Sequence, residues 1–322
     1  MVGSCQGDRS TIRPPPDAIK SLTDLPAAPL IDVIVPAYRG LSETRRCLES
    51  VLGARVREPH EVVVIDDSSP EPELSAWLRG LAGKGRITLI AHDRNAGFVA
   101  SVNEGMRLHP DRDVVLLNSD TEVAAGWLDR LAACAARERR AGTVTPFSNN
   151  ATICSYPLFA QPNPLPEGTT TARLDAAFAR ANAGNCVEIP TAVGFCMFVA
   201  RNCLAEVGAF DEAAFGRGYG EEVDFCMRAA RAGWRHLLAA DTFVFHQGEV
   251  SFGGGAGEIR NRAQSVIDSR YPEFQVRVRA FLDEDPPRKW RERATEAHAP
   301  LPARMAGKVR RWLRARTPER PG

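Results

Sequence analysis

Polar side chains follow three apolar, strand-like stretches at the point where each stretch ends. A buried carboxylate without partners is costly, so such side chains are expected to face a cleft, a cation or hydrogen-bond donors. One polar turn after a strand has an ordinary explanation, because Asp and Ser also shape turns and cap helices. Three in succession indicate a ligand site. The residues at the three ends are Pro36-Ala37-Tyr38, Asp66-Asp67 and Asn118-Ser119-Asp120.

A sheet would position these residues, because β-branched runs alternate with helix-like stretches from residue 30 onward. The alternation predicts an α/β domain with a mostly parallel sheet covered by helices on both faces. Ligands collect beyond the carboxyl ends of strands in such a sheet. Ser42 is the predicted N-cap of the first helix. We predict strands over 30–38, 61–67, 86–92, 113–118, 191–200 and 236–246, helices over 42–52, 73–82, 97–108 and 221–233, and a loop-rich stretch over 142–168.

Composition and charge divide the 322-residue chain into three regions. Residues 1–29 are predicted to be a flexible, Pro-rich leader, residues 30–285 the folded domain and residues 286–322 a basic tail. Eleven basic and three acidic residues give the stretch from Arg288 a charge of +8, which leaves −7 for the rest of a chain whose net charge is +1. The acidic body argues against nucleic-acid binding. Residues 304–316 fit either a basic amphipathic helix on an anionic membrane or a solvated end.

The cysteines and the apolar runs bear on the compartment. The eight cysteines are scattered without a C-x-x-C pair, which predicts reduced thiols and neither a disulfide framework nor a zinc site. No apolar run approaches the roughly 18 residues of a membrane span, and the N-terminus lacks the pattern of a signal peptide. We therefore expect a cytoplasmic protein that contacts the membrane, if at all, through its tail.

Five segments carry a resemblance to a known family. They read IDVIVPAY, VVVIDDSSP, NAGFVASVNEG, VVLLNSDTEVAAGWLD and GYGEEVDFCMRAARAGW, and they lie between about Leu30 and Phe252. In type, order and spacing they resemble the family 2 glycosyltransferases of the GT-A fold. The resemblance implies a single Rossmann-like, mostly parallel mixed sheet flanked by helices. It also implies transfer of a sugar from a nucleotide diphosphate donor to a hydroxyl, with inversion.

The resemblance assigns a metal site to the third strand end. Asn118-Ser119-Asp120 occupies the family's Asp-x-Asp position, with Asp120 as the implied metal ligand. Asn118 offers an amide oxygen without charge, so the metal is held more weakly or a second ligand helps. His246 matches a position where some family members place a histidine on the metal, although a histidine at a strand end also has a structural explanation. Mg²⁺ or Mn²⁺ is implied, and an imidazole ligand favours Mn²⁺.

The resemblance also implies which residues bind the nucleotide of a UDP- or dTDP-linked donor. Asp66 and Asp67 match the paired aspartates that hold base and ribose, and Pro36, Ala37 and Tyr38 would line the base pocket. The segment with Arg94, Asn95 and Gly97 precedes a helix whose N-terminal amides are expected to face a phosphate. The alternative for this segment is an ordinary turn.

An inverting transfer needs a base that takes the proton of the acceptor hydroxyl. The family places an aspartate in a Glu-Asp-x-Asp-like stretch at a helix start, and here Glu222 takes that position. Glu221 is the alternative base. Both would also stabilise the helix N-terminus through its dipole, and Asp224 and Arg228 are expected to form a surface ion pair.

These inferences predict a metal-dependent glycosyltransferase whose acceptor is a bacterial surface glycan or its lipid-linked precursor. A rhamnosyl or galactofuranosyl donor follows from analogy within the family. A dinucleotide-dependent oxidoreductase is excluded because VPAYRG stands where G-x-G-x-x-G would follow the first strand. The remaining alternative is a degenerate transferase-like domain that binds a nucleotide sugar or a glycan-synthase partner without turnover.

Overall fold

The computed structural model describes residues 10–12, 30–248 and 256–299. Nine of the described strands form one sheet in the order β1-β4-β3-β2-β5-β9-β7-β10-β8, and β6 and β11 form a separate two-stranded pair. The strands are β1 (Ser10–Ile12), β2 (Ile31–Ala37), β3 (His60–Asp66), β4 (Thr88–Ala91), β5 (Val114–Leu117), β6 (Thr121–Glu122), β7 (Ala141–Phe147), β8 (Cys186–Glu188), β9 (Cys196–Val199), β10 (Arg235–Phe243) and β11 (Phe245–His246).

The sheet is mixed but mostly parallel where the predicted site lies. Strands β4, β3, β2 and β5 run parallel to their neighbours in that order. Strand β9 is antiparallel to both β5 and β7, while β10 is parallel to β7. Because β2 lies between β3 and β5, the three polar strand ends meet at one edge of the sheet.

Helices cover both faces of the sheet and create two apolar cores. One core lies around Val33, Val64 and Trp127, and the other around Ile34, Met106 and Phe225. Residues alternate between the two cores along β2 because successive side chains of a strand point to opposite faces. The helices are α1 (Leu41–Gly53), α2 (Pro72–Gly83), α3 (Phe98–Leu108), α4 (Trp127–Arg137), α5 (Thr171–Asn182), α6 (Arg201–Val207), α7 (Glu212–Phe215), α8 (Glu221–Arg231), α9 (Ala256–Arg270), α10 (Phe274–Glu284) and α11 (Arg288–His298).

The fold prediction is confirmed, with differences in detail. Residues 141–147, predicted to begin a loop-rich stretch, form the buried strand β7 between β9 and β10. Ser42 is not the N-cap of α1: Gly40 is, and the Glu71 carboxylate accepts the Gly40 and Leu41 amides at 3.0 Å each. The seven described cysteines are free thiols, as expected, and Cys5 lies outside the described residues.

Both ends of the chain depart from the predicted regions. In the leader, β1 pairs antiparallel with β4, and the other residues before 30 lie outside the described part. Helix α11 belongs to the domain, because Trp290 and Ala294 are buried and the Asn182 amide donates to the Trp290 carbonyl at 3.1 Å. The proposed membrane segment, residues 304–316, lies outside the described residues. In the described part, every helix is too short or too polar to cross a membrane.

Candidate active site

The sheet and a distant loop bring Asp120 and His246 together. Asp120 follows β5 and His246 ends β11, which pairs with β6 directly after Asp120. The distance between Asp120 Oδ1 and His246 Nε2 is 3.5 Å, and Asn118 Nδ2 lies 3.4 Å from the same ring nitrogen. The three predicted side chains therefore surround one point. Ser119 is buried beside them.

The hydrogen bonds of His246 fix which nitrogen faces the cluster. Nδ1 lies 2.7 Å from the Asn150 carbonyl oxygen, to which only an N–H can donate. In the neutral ring Nε2 therefore carries the lone pair, and it points toward Asp120 and Asn118. The ring of His246 also stacks on Phe195, with centroids 5.2 Å apart. A histidine held through its second nitrogen in this way is typical of metal ligands.

Asn149 holds the backbone of His246 from the opposite side. Its side-chain oxygen accepts the His246 amide and its side-chain nitrogen donates to the His246 carbonyl, both at 2.9 Å. Asn149 is 5% exposed and in this way acts as a strand neighbour for the end of β11. This residue was not among the predicted site residues, because its role depends on a partner 97 positions away.

In the Asp120–His246 pair, each side chain favours the charged form of the other. Burial favours the neutral forms, but the Asp120 carboxylate outweighs it and raises the pKa of His246. Burial likewise opposes the Asp120 carboxylate, yet His246 and the Gly248 amide, which donates at 2.7 Å, hold the pKa of Asp120 below its ordinary value. Asp120 is therefore ionised at neutral pH.

These donors fit a divalent cation. Two atoms that each lie about 2.1 Å from one ion are themselves roughly 3–3.5 Å apart, close to the separation of Asp120 Oδ1 and His246 Nε2. Rotation of the Asn118 amide by half a turn would present its oxygen in place of Nδ2, and the two orientations have nearly the same shape. A carboxylate, an imidazole and an amide leave positions for phosphate oxygens and water.

A second group of acidic and histidine residues has the composition of a metal site but a different role. Asp32, Glu61 and His109 offer ligand atoms within 4.8 Å of one another. Arg112 Nη1 lies 2.9 Å from Asp32 and 2.7 Å from Glu61, so one guanidinium already pairs with both carboxylates. Asp32 and Glu61 also lie at the amino ends of β2 and β3, opposite the predicted site. We assign this group to a structural ion pair.

The paired aspartates at the end of β3 are committed to internal contacts. Asp66 accepts the Ser69 amide at 2.9 Å and the Ser75 hydroxyl at 2.5 Å. Asp67 accepts the amides of Ala96 at 2.7 Å and Gly97 at 2.9 Å. Both are at most 4% exposed, so a nucleotide would share their remaining lone pairs.

Two predicted nucleotide contacts are corrected by these observations. Ala37 is 1% exposed and packs in the core, so it cannot line a base pocket, whereas Pro36 and Tyr38 remain half-buried. Among the amides around the start of α3, which were expected to face a phosphate, the Gly97 amide donates to Asp67 and the Val99 amide donates to the Gly216 carbonyl. Arg94 and Asn95 are exposed at the same loop.

The loop before α8 contacts the loop after β4. A Cβ built on Gly97 would lie 3.1 Å from the Gly216 carbonyl oxygen and 3.5 Å from the Arg217 Cα. Gly97 has a φ of +94°, so a side chain would be strained there as well. Arg217 is exposed at this contact. It was not among the predicted site residues, although its place between two glycines marks a turn.

Glu221 and Glu222 begin α8 with buried carboxylate oxygens. Oε2 of each is inaccessible to solvent and accepts no hydrogen bond within the described part of the chain. Burial and the neighbouring Glu222 carboxylate raise the pKa of Glu221 well above its ordinary value. Burial also raises the pKa of Glu222, although the amides at the helix start oppose the shift. An unsatisfied buried carboxylate is a candidate proton acceptor.

One segment connects these glutamates to the Asp120 cluster. The side chain of Glu222 runs 3.9 Å from the position of a Cβ on Gly194. Phe195, the next residue, stacks on His246 and accepts the Asn118 amide through its carbonyl at 2.8 Å. Phe195 and Met197 are buried. The two halves of the predicted site are therefore neighbours.

Comparison with known proteins identifies the domain that holds this site. The family model described as Glycosyl transferase family 2 matches residues 32–183. The chain contains a family 2 glycosyltransferase domain. The transferase is 26% identical over 245 residues to an N-acetylglucosaminyl-diphospho-decaprenol L-rhamnosyltransferase of Mycobacterium tuberculosis, covering 70% of this chain and 78% of that protein.

Two further matches have lower sequence identity. An uncharacterized protein, y4gI, of Sinorhizobium fredii is 22% identical over 84% of this chain, which spans only 30% of that protein's length. A crystal structure of GalNAc-T7 with UDP, GalNAc and Mn²⁺ superposes with a TM-score of 0.57 at 17% identity, covering 83% of this chain and 54% of that one. This likeness confirms the predicted GT-A fold.

We predict that Asn149→Ala weakens Mn²⁺ binding by about 10- to 100-fold, because the variant frees the backbone that aims His246 at Asp120. Titration of Mn²⁺, followed by electron paramagnetic resonance of the free ion, measures the affinity. Asn185→Ala is the matched control, since the Asn185 side chain donates to the Asn182 and Ala183 carbonyls and does not contact His246. Equal affinities for the two variants would contradict the role of Asn149.

Proposed function

We propose that the chain is an inverting, divalent-metal-dependent glycosyltransferase that moves a sugar from a nucleotide diphosphate donor to a hydroxyl of a bacterial surface glycan or its lipid-linked precursor. The observation that carries this proposal is the link between Asp120 and Glu222 through Gly194, Phe195 and His246. The proposed cation site and a candidate base then lie on either side of this segment.

Asp120 and His246 are the proposed metal ligands, with Asn118 beside them. A divalent ion bound there would neutralise the charge that develops on the leaving diphosphate. Asp120 contributes the charged oxygen, and His246 the neutral nitrogen that the Asn150 carbonyl keeps directed inward. Mn²⁺ suits the imidazole better than Mg²⁺ does.

Glu222 is the proposed base. Its carboxylate takes the proton of the acceptor hydroxyl while the hydroxyl oxygen bonds to the anomeric carbon on the face opposite the departing diphosphate, which inverts that centre. Two adjacent carboxylates resist simultaneous ionisation. Because the pKa of Glu221 is raised well above its ordinary value, partly by the charge of Glu222, Glu221 is the one that keeps its proton.

The nucleotide is proposed to lie between the ends of β2 and β3. Pro36 and Tyr38 provide half-buried apolar surface, and Asp66 and Asp67 provide acceptors for base and ribose. Arg94 and Asn95 are exposed at the phosphate side. The likeness to an N-acetylglucosaminyl-diphospho-decaprenol L-rhamnosyltransferase supports a rhamnosyl donor and a lipid-linked acceptor, with UDP and dTDP as the candidate nucleotides.

Asn118 is the feature that favours a second function. Its amide carries no charge, and its Nδ2 faces His246. A domain with a weakened metal site would bind a nucleotide sugar, or a glycan-synthase partner, without turning the sugar over. Detectable transfer or donor hydrolysis by the wild type excludes this alternative.

Asp120→Ala is expected to abolish Mn²⁺-dependent binding of UDP and dTDP, because it removes the charged ligand. Isothermal titration with each nucleotide, with and without Mn²⁺, measures the effect. Glu122→Ala is the control, since the Glu122 side chain makes no hydrogen bond or ion pair among the described residues. Unchanged binding by Asp120→Ala would remove this residue from the metal site.

Glu222→Gln is expected to retain donor affinity and lose about 10²- to 10⁴-fold in turnover. In the wild type, the rate should fall as Glu222 gains its proton, so the acidic limb of the pH–rate profile should lie above the ordinary carboxyl value of 4.5. Steady-state kinetics of Glu222→Gln and Glu221→Gln separate the two candidates. Turnover of Glu222→Gln within twofold of the wild type would reject it as the base.

We propose a cytoplasmic location with peripheral contact to the inner face of the plasma membrane. Residues 300–322 carry seven basic residues and one acidic residue, which suits an anionic surface. Truncation after Ala299 should reduce co-sedimentation with phosphatidylglycerol vesicles and leave transfer to a soluble acceptor unchanged. The cut must spare α11, which buries Trp290. Equal sedimentation, or equal loss with phosphatidylcholine vesicles, would contradict the electrostatic contact.

A further inference from the structure

His92 lies between two carboxylates, one of which belongs to the proposed nucleotide site. Its Nδ1 is 2.8 Å from Asp67 Oδ1 and its Nε2 is 2.9 Å from Glu104 Oε2. The side chains of His92 and Asp67 are each 6% exposed, and that of Glu104 is 22% exposed. His92 was not among the predicted site residues, because its partners Asp67 and Glu104 lie on different elements.

The geometry requires a proton on both ring nitrogens. A neutral imidazole donates from one nitrogen and presents a lone pair from the other. At the observed separations that lone pair would face a carboxylate oxygen, which is repulsive. The doubly protonated ring donates to both carboxylates in charge-assisted hydrogen bonds.

Asp67 transmits this contact to the loop after β4. Its two carboxylate oxygens accept the amides of Ala96 and Gly97, which connect exposed Arg94 and Asn95 to the start of α3. The His92 amide also donates to the Asp66 carbonyl at 2.9 Å. His92 therefore holds the end of β3, the loop and α3 in one arrangement.

We propose that His92 is a positioning residue for donor binding: as an imidazolium held by Asp67 and Glu104, it keeps the 94–97 loop in the conformation that receives the nucleotide. This inference rests on the proposed function. His92 itself does not touch the donor; it acts through the Asp67 carboxylate and the amides that this carboxylate holds.

Donor binding should therefore depend on pH, through the proton on His92. The Asp67 hydrogen bond raises the pKa of His92, burial opposes the shift, and Glu104 adds to it. The contact is complete below the ordinary histidine value of 6.5 and is lost as pH rises through the raised pKa. Among the described residues, Asp67 and Glu104 are the charged groups that face the ring, whereas Asp93 and Arg94, next in the chain, are exposed.

The first measurement needs no nucleotide. Long-range ¹H–¹⁵N spectra of the full chain labelled at histidine report the protonation of each ring, and the His92 signals are those absent from the spectrum of His92→Gln. The His92 ring should be protonated at both nitrogens at pH 7 and titrate above 6.5. Glu104→Gln should lower that titration midpoint, because it removes one charge and keeps an acceptor. Hydrogen exchange at the Ala96 and Gly97 amides should speed up with the deprotonation of His92. A neutral His92 ring at pH 7 would overturn the proposal.

The second measurement uses UDP with Mn²⁺ as the probe. His92→Gln should bind UDP about tenfold more weakly at pH 7, and its affinity should no longer weaken as pH rises above 6.5. His60→Gln is the control, because the His60 ring contacts the Glu58 carbonyl at the far end of β3. Wild-type affinity in His92→Gln would overturn the proposal. Absence of UDP binding by the wild type at every pH would reject the proposed function instead, while the ring and exchange measurements still decide whether His92 holds the loop.

Discussion

The charge of the Asp120 carboxylate is the constraint on which the arrangement of the site depends. The side chain is 8% exposed at the end of a buried strand, and one backbone amide and one imidazole contact it. Such a charge is costly without close partners. The loop that carries His246 and Gly248 is drawn to it from 128 residues away. The separation of Asp120 Oδ1 and His246 Nε2 fits a shared divalent cation, which is what the proposed diphosphate site requires.

A second buried carboxylate fixes the helix that carries the proposed base. Asp224 is fully buried and accepts hydrogen bonds from Arg228, Arg270 and the Tyr271 hydroxyl, each at 2.8 Å. The expected surface pair of Asp224 with Arg228 is therefore part of a buried network that joins α8 to α9. Asp224 is fully paired, whereas Oε2 of Glu221 and Oε2 of Glu222, at the same helix start, have no hydrogen-bond partner among the described residues. Each costs about 1–3 kcal/mol without a partner, which is consistent with a role in proton transfer.

The sequence predicted the strands and the polar residues at their ends because both depend on local patterns. The runs before Asp66 and Asp120 are continuously apolar, as strands buried on both faces are. It could not predict that β7 lies in the middle of the sheet, because prolines obscured that run. The many charges around Trp290 predicted that α11 would be part of a solvated tail. Trp290 is buried because α11 packs against α5, and the sequence pattern does not show that contact.

Residue types, their order and the family 2 motifs were determined by the sequence alone: a carboxylate after β5, a histidine near residue 246 and glutamates at the start of α8. The tertiary structure alone decided which partner each group has. It made Asp67 the anchor of a loop, gave His246 the tautomer that faces Asp120, and put a guanidinium between Asp32 and Glu61. The physical reason is distance along the chain. The energy of a buried charge depends on donors and acceptors that come from remote segments, and those segments meet only when the sheet forms.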